Sequence, residues 1–335
     1  MSDLITTVSR LEKIIGVTPG PRDLKVIDHL DENALRWISV ATCFFACLYD
    51  RKEGVFASIG GGEPGFVAAD AGCLKIPVDA MDHPERVQVG KGWGSLFLVP
   101  TMKETLRVNG VVESLEDGVA SVKVIECFLH CAKALMRSNF WLPTATQEAA
   151  MDAPSFLAAT TFMLVASSDS DGYADISPKG DVAGKLLRAV GESVWYPERP
   201  GNRRVDGYRN MLSQPQIDIL AMIPGDTSVL RLSGTTRLFT DKAMRQDFAV
   251  DNKLPSMVTE VQSAAITIEQ SPALKRANLW PAEAPSIAFK GADIFKAHIK
   301  LSKMNGIGAK IAKKAVEIPG AFEKALEFDY KNNQY

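Results

Sequence analysis

The sequence predicts a mainly β chain with flanking helices (α+β), one barrel-like unit repeated in tandem and followed by a helical extension. Three observations predict it. Short apolar, β-prone runs follow one another between short turns, the pattern of an antiparallel barrel or sandwich. Three segments of the first half recur in the same order in the second half. Residues 284–335 have no counterpart in the first half and carry helical periodicity instead.

Length and composition agree with this. At 335 residues the chain can form two domains that bury cores without metals or disulfides. It is 46% hydrophobic and 23% charged, with a formal net charge of −2, so no global attraction to nucleic acid is expected. No apolar run reaches membrane-spanning length and the N-terminal residues lack a signal-peptide pattern, which predicts a cytoplasmic protein. Cys43, Cys47, Cys73, Cys127 and Cys131 read as buried thiols, not as a disulfide framework or zinc site.

Residues 1–37 read as a helical lead-in with turns at 18–21 and 28–31; Leu11, Ile14 and Ile15 fall at helical spacing, and Asp31 caps a helix over 32–37. Strands are predicted over 38–49, 54–58, 65–69, 74–78, 95–99 and 105–113. Residues 122–141 read as a last strand followed by a helix, and 142–153 as a linker or short helix.

The chain then starts again. Residues 55–65 align without gaps on 174–184, pairing Ser58 with Ser177 and Gly60, Gly61 and Gly62 with Lys179, Gly180 and Asp181. Leu106-Arg107-Val108-Asn109-Gly110 matches Leu230-Arg231-Leu232-Ser233-Gly234, and residues 134–141 match 273–280. The domains expected are 1–145, a first barrel with its lead-in; 150–283, a second barrel; and 284–335. In the last, Ile294, Ala297, Leu301 and Met304 share one helical face, and seven lysines face one acidic residue, Asp293, between 286 and 316. An amphipathic appendage with a solvated lysine face is the favoured reading; a membrane surface, nucleic acid or acidic partner is the alternative.

Residues 176–212 concentrate Ser177, Lys179, Arg203 and Arg204 among turn-forming glycines, a composition suited to a phosphorylated ligand. Arginine offers a planar fork of donors, lysine a point charge, and glycine close backbone approach. Two solvated turns with ordinary surface charge are the alternative. No Ser-His-Asp set, carboxylate pair or metal cluster supports hydrolysis.

The run Asp175-Ile-Ser-Pro-Lys-Gly-Asp181, the segment Pro197-Glu-Arg-Pro-Gly-Asn-Arg-Arg204, and the strand at 230–234 resemble the pyridoxamine 5′-phosphate oxidase-like family of FMN-binding split β-barrels. His130-Cys-Ala-Lys-Ala-Leu-Met-Arg-Ser138 resembles the closing motif of one flavin-binding branch. The resemblance implies FMN between two barrels, here a pseudo-dimer within one chain, whether the chain is monomeric or dimerises further. It implies a flavoprotein and FMN-dependent oxidoreductase that transfers hydride through flavin N5 to or from a small molecule left open, with NAD(P)H or another electron donor. A flavin sensor or store, or a flavin-free scaffold, is the alternative.

The repeat sharpens the expected site. The first barrel lacks the counterparts of Lys179, Asp181 and the Asn202-Arg203-Arg204 turn; the second has Pro272 and Ala277 in place of Lys133 and Ser138. One intact site then remains per chain. It joins the cradle of the second barrel (Ser177, Lys179, Asp181, Asn202, Arg203, Arg204) to the closing motif of the first (Lys133, Arg137, Ser138). His130 and Cys131 read as packing residues, with an acid/base or redox pair as the alternative.

Overall fold

Strand β1 (Leu4–Ile5) and helix α1 (Val8–Ile15) begin the chain. The computed structural model describes residues 3–16, 23–142, 151–201, 203–304, 307–316, 318, 320–332 and 334–335. The turn expected at 18–21 and most of the expected linker at 142–153 lie outside them. The sequence reading groups the lead-in with the first barrel, but β1 pairs with a strand of the second sheet at Phe239 and Leu238, and Leu11 is buried in the second core.

The first sheet follows helix α2 (Glu32–Val40), whose N-cap Asp31 accepts from the Ala34 amide at 2.8 Å. Its strands are β2 (Cys43–Asp50), β3 (Gly54–Gly61), β4 (Ala68–Ala69), β5 (Cys73–Pro77), β6 (Gly92–Leu98), β7 (Thr105–Glu116) and β8 (Val119–His130), and it ends in helix α3 (Lys133–Arg137). Two sequence expectations are corrected. The strand predicted from residue 38 begins at Cys43, because α2 carries its buried face through Ile38 and Val40. The strand predicted over 65–69 shrinks to β4.

The second sheet follows helix α4 (Ala153–Ala159). Its strands are β9 (Phe162–Ser168), β10 (Ala174–Gly180), β11 (Arg188–Val190), β12 (Ser193–Pro197), β13 (Gln216–Met222), β14 (Ser228–Phe239) and β15 (Val258–Gln270). Helix α5 (Asp206–Ser213) lies between β12 and β13, α6 (Lys242–Asp247) between β14 and β15, and α7 (Pro272–Ala277) after β15. The extension supplies α8 (Gly291–Leu301), α9 (Ile307–Ala315) and α10 (Ala321–Asn332).

Both sheets are antiparallel and repeat one strand order: β3-β2-β6-β7-β8-β5-β4 in the first and β10-β9-β13-β14-β15-β12-β11 in the second, where β1 adds to β14. Each strand of the first path has its counterpart at the same place in the second. The shared order is the topology that the internal matches of the sequence call for.

The period-2 geometry of a strand explains how the halves join. In β2, Phe44, Ala46 and Leu48 point into the first core, while Cys43, Phe45 and Cys47 point into a second apolar layer shared with the other sheet. In β9, Met163 and Val165 enter the second core, while Phe162, Leu164 and Ala166 enter the shared layer. Burial on both faces makes each strand a continuous apolar run without alternation.

Contacts across the shared layer come in matched pairs. Arg107 donates to the Ile176 carbonyl at 2.5 Å, and its counterpart Arg231 donates to the Ala57 carbonyl at 3.0 Å. Arg137 Nε donates to the Gly180 carbonyl at 2.8 Å, and Arg276 Nε to the Gly61 carbonyl at 3.1 Å. A Cβ on Gly180 would stand 1.9 Å from the Ala134 carbonyl oxygen, and one on Gly61 would stand 2.0 Å from that of Ala273. These glycines let a strand of one half approach the closing helix of the other.

The extension packs on the first half: Ile294 enters the first core, and His298 Nε2 lies 3.3 Å from Asp31. The apolar face expected at 294, 297, 301 and 304 is only partly used, since Leu301 and Met304 remain exposed. The lysines are also less free than expected. Lys296 pairs with Glu323 at 2.6 Å and Lys303 with Asp28 at 2.5 Å.

Candidate functional site

Strand β10 turns Ala174 and Ile176 into the shared layer, so Ser177 and Lys179 lie on its opposite face. There they line one space with residues from the end of β8 and from helix α3. Into the same space come Glu198 and Arg199 after β12, Arg204 before α5, and Gly207 and Tyr208 within it. Together with His130, Cys131, Lys133 and Arg137 they line a cavity of about 80 Å³. The cradle of the second half and the closing motif of the first, separate in sequence, meet here.

Lys179 is the best-anchored cation. Its Nζ lies 2.8 Å from Glu198 Oε2 and 2.8 Å from the Tyr208 hydroxyl, which itself donates to Glu198 at 2.6 Å. The ammonium also lies 4.6 Å from the centroid of the Tyr208 ring. Burial, reinforced by the Glu198 charge, pushes the Tyr208 hydroxyl far above its ordinary value, so it stays protonated as a donor. Ser177 Oγ contacts Asp175 at 3.1 Å. A Cβ at Gly207 would stand 3.1 Å from that hydroxyl, a tight contact that the serine would have to relieve by a few tenths of an ångström.

The remaining predicted residues divide. Arg204 lines the cavity, with Nε 2.8 Å from Asp206 Oδ2 and its guanidinium 4.4 Å from the Phe128 ring. Arg203 takes a left-handed φ of 57° and instead lines an adjoining cavity of about 310 Å³. Asp181 is fully buried beneath the site and holds Arg199 Nε at 2.5 Å, while Arg199 Nη2 donates to the Phe248 carbonyl at 2.7 Å. Asn202 lies outside the described residues. Lys133 and Arg137 line the cavity. Ser138 does not: its hydroxyl donates to the Ala134 and Leu135 carbonyls of its own helix at 2.9 and 3.0 Å.

His130 and Cys131, for which packing and an acid/base or redox role are the two readings, both stand on the cavity wall. Burial and the neighbouring cations Arg107, Lys25, Arg204 and Lys179 depress the His130 pKa well below its ordinary value, so the imidazole is neutral. Its Nδ1 has no hydrogen-bond partner among the described residues. Glu198 and Arg199, not among the site residues expected from sequence, sit inside the motif that carries the resemblance, and the alternation of acid and base there was the available signal. Among the described residues no group of three or more His, Cys, Asp or Glu side chains could hold a metal ion, and no helix is long and apolar enough to cross a membrane.

The place related to this cavity by the repeat is filled by protein. Phe44 occupies the space above Gly60, where Lys179 stands in the other half, and stacks with Phe66 at 5.9 Å. Asp82 braces the start of α7, accepting from the N-cap Ser271 Oγ at 2.5 Å and the Ala273 amide at 3.0 Å. His83 meets Glu269, the counterpart of His130, at 3.2 Å.

Residues 152–284, the segment holding β9 to α7, match the sequence profile of pyridoxamine 5′-phosphate oxidase. They form a pyridoxamine 5′-phosphate oxidase-family domain. Among solved structures, the chain is similar to the HupZ protein of Group A Streptococcus (18% identity, 36% of this chain and 95% of that one, TM-score 0.29). It is also similar to an F420 reductase (14%, 36% and 98%, 0.27) and to HutZ, the heme storage protein of Vibrio cholerae (11%, 35% and 90%, 0.25). No curated protein sequence matches significantly. Within the oxidase-family domain, the donors of Ser177, Lys179 and Arg204, joined by Lys133 and Arg137 from the other half, suit a phosphate-bearing anion. The room between them is smaller than the roughly 300 Å³ at which small-molecule pockets usually begin.

Proposed function

We propose that the chain is an FMN-dependent oxidoreductase that holds one FMN between its two barrels and transfers hydride to or from a small molecule. The observation that carries this reading is the meeting of Ser177, Lys179 and Arg204 with His130, Lys133 and Arg137 around one cavity, while the place related by the repeat is filled by Phe44 and sealed by Asp82. When bound, FMN supplies hydride acceptance and donation at its N5 atom.

The chain's own residues supply binding and electrostatics. Ser177, Lys179 and Arg204 would hold the phosphate or the pyrimidine edge, with Arg203 close by. Glu198 and Tyr208 fix the Lys179 ammonium, so its charge is placed before the ligand arrives. Lys133 and Arg137 add positive charge from the other barrel, which favours an anionic reduced cofactor. His130, neutral and with Nδ1 unpartnered among the described residues, can hold or accept a hydrogen bond without adding charge.

Titration of the purified chain with FMN, read by quenching of flavin fluorescence, tests the reading. Binding is expected, with reduction by NADH or NADPH visible as bleaching of the flavin bands. Lys179→Ala and Arg204→Ala should each weaken binding by about tenfold or more, the scale of a charge-assisted hydrogen bond at about 1.5–3 kcal/mol. Variants that fold and bind FMN as tightly as the parent would refute the site.

A further inference from the structure

The C-terminal part of the chain contacts the cradle's own charged residues. Helix α10 and the residues after it reach the site at three points. Asp329 Oδ2 lies 2.9 Å from Lys133 Nζ, whose side chain is only 3% exposed. The Gln334 carbonyl accepts from Arg137 Nη1 at 2.8 Å. The Tyr335 hydroxyl lies 3.1 Å from Asp181 Oδ1, and its ring lies 5.3 Å from the Arg199 guanidinium.

The adjoining 310 Å³ cavity shares Lys133, Glu198, Arg199 and Gly201 with the cradle, and Asp329 and Tyr335 form part of its wall. The same segment therefore walls a space that shares four lining residues with the cradle.

We infer that residues 321–335 act as an internal ligand of the cradle, competing with the phosphorylated flavin and withdrawing when it enters. The contacts have the chemistry of that ligand: a carboxylate on the buried lysine in the manner of a phosphate, and an aromatic ring against a guanidinium in the manner of a flavin ring. Phe328 and several other described residues of α10 are exposed, and two of the contacts that hold the helix to the body are polar, Lys296 with Glu323 and Tyr330 with Glu104.

This inference rests on the FMN reading, and the test separates the two. Hydrogen exchange of the intact chain is followed with and without saturating FMN, and FMN affinity is compared between the parent and the full-length double variant Asp329→Ala, Tyr335→Ala. The inference predicts faster exchange in 321–332 when FMN is bound, a measurement that needs no variant. It also predicts FMN binding about fivefold or more tighter in the double variant, the lower end of ordinary coupling between sites. Binding by the double variant alone would support it most strongly. If the parent binds FMN while exchange in 321–332 stays equal or slows, and the variant binds no tighter, the inference is overturned and the FMN reading stands. If neither protein binds FMN, both fall.

Discussion

Gly180→Ala and Gly61→Ala form a matched pair that probes the joint between the halves and the site at one of its ends. The added Cβ would stand 1.9 Å from the Ala134 oxygen in one case and 2.0 Å from the Ala273 oxygen in the other, where real Cβ contacts do not fall below 3.0 Å. Each obstacle is a backbone carbonyl in a buried helix, so strand and helix must part by about 1 Å instead of a side chain swinging away. Overpacking of this kind costs about 1–3 kcal/mol. Each parting also stretches an arginine bond, Arg137 to Gly180 or Arg276 to Gly61. Denaturant unfolding should place both variants in that range below the parent, with Tm lower by about 2–4 °C for each kcal/mol. FMN affinity should divide them. Gly180→Ala moves Lys133 and Arg137 relative to Lys179 and should weaken binding by about tenfold or more, since displacements near 1 Å are costly to a preorganised site. Gly61→Ala lies at the filled end and should leave affinity within about threefold. Equal loss of affinity in both variants, or no destabilisation in either, would refute the reasoning.

Two further predictions follow from the site and its counterpart. A histidine whose folded pKa is depressed takes up its proton only on unfolding, so His130 should make stability fall as the pH drops below about 6.5, by at most about 1.4 kcal/mol per pH unit; His130→Gln should flatten that slope in denaturation curves between pH 5 and 7.5, and identical slopes would remove the imidazole from the account. Asp82→Ala removes the carboxylate that accepts from the N-cap Ser271 hydroxyl and the Ala273 amide at the start of α7, and should cost about 1–3 kcal/mol in denaturant unfolding with FMN affinity unchanged, whereas a large change in affinity would place the cofactor at the wrong end.

The repeat was legible in the sequence because the residues that carry it are those the joint cannot vary. Gly61 and Gly180 are needed for close approach, and Arg107, Arg137, Arg231 and Arg276 cap carbonyls across the shared layer. The complementary losses at Lys179 against Gly60 and Lys133 against Pro272 pointed to one intact end, and those surviving side chains line one cavity. What could not be read depends on three-dimensional company. The start of β2 was hidden because a run buried on both faces has no alternation to mark where α2 stops. Ser138 looks like a ligand-binding hydroxyl in a motif, but a hydroxyl in a short helix is satisfied most easily by its own preceding turn. Glu198 and Tyr208 acquire meaning only when β10, β12 and α5 are brought together around Lys179. The lysine-rich extension gave no sign of its contact with the cradle, because Arg137 and Gln334 are 197 residues apart and meet through a backbone carbonyl that has no sequence signature.

The central claim is one cofactor site per chain, at the end where Lys179 meets Lys133. Release of FMN from the saturated, desalted protein, quantified by flavin absorbance against polypeptide concentration, tests it most directly. The account predicts one FMN per chain, abolished together with binding in the Lys179→Ala, Arg204→Ala double variant. Two FMN per chain, or one that survives in that variant, would contradict it.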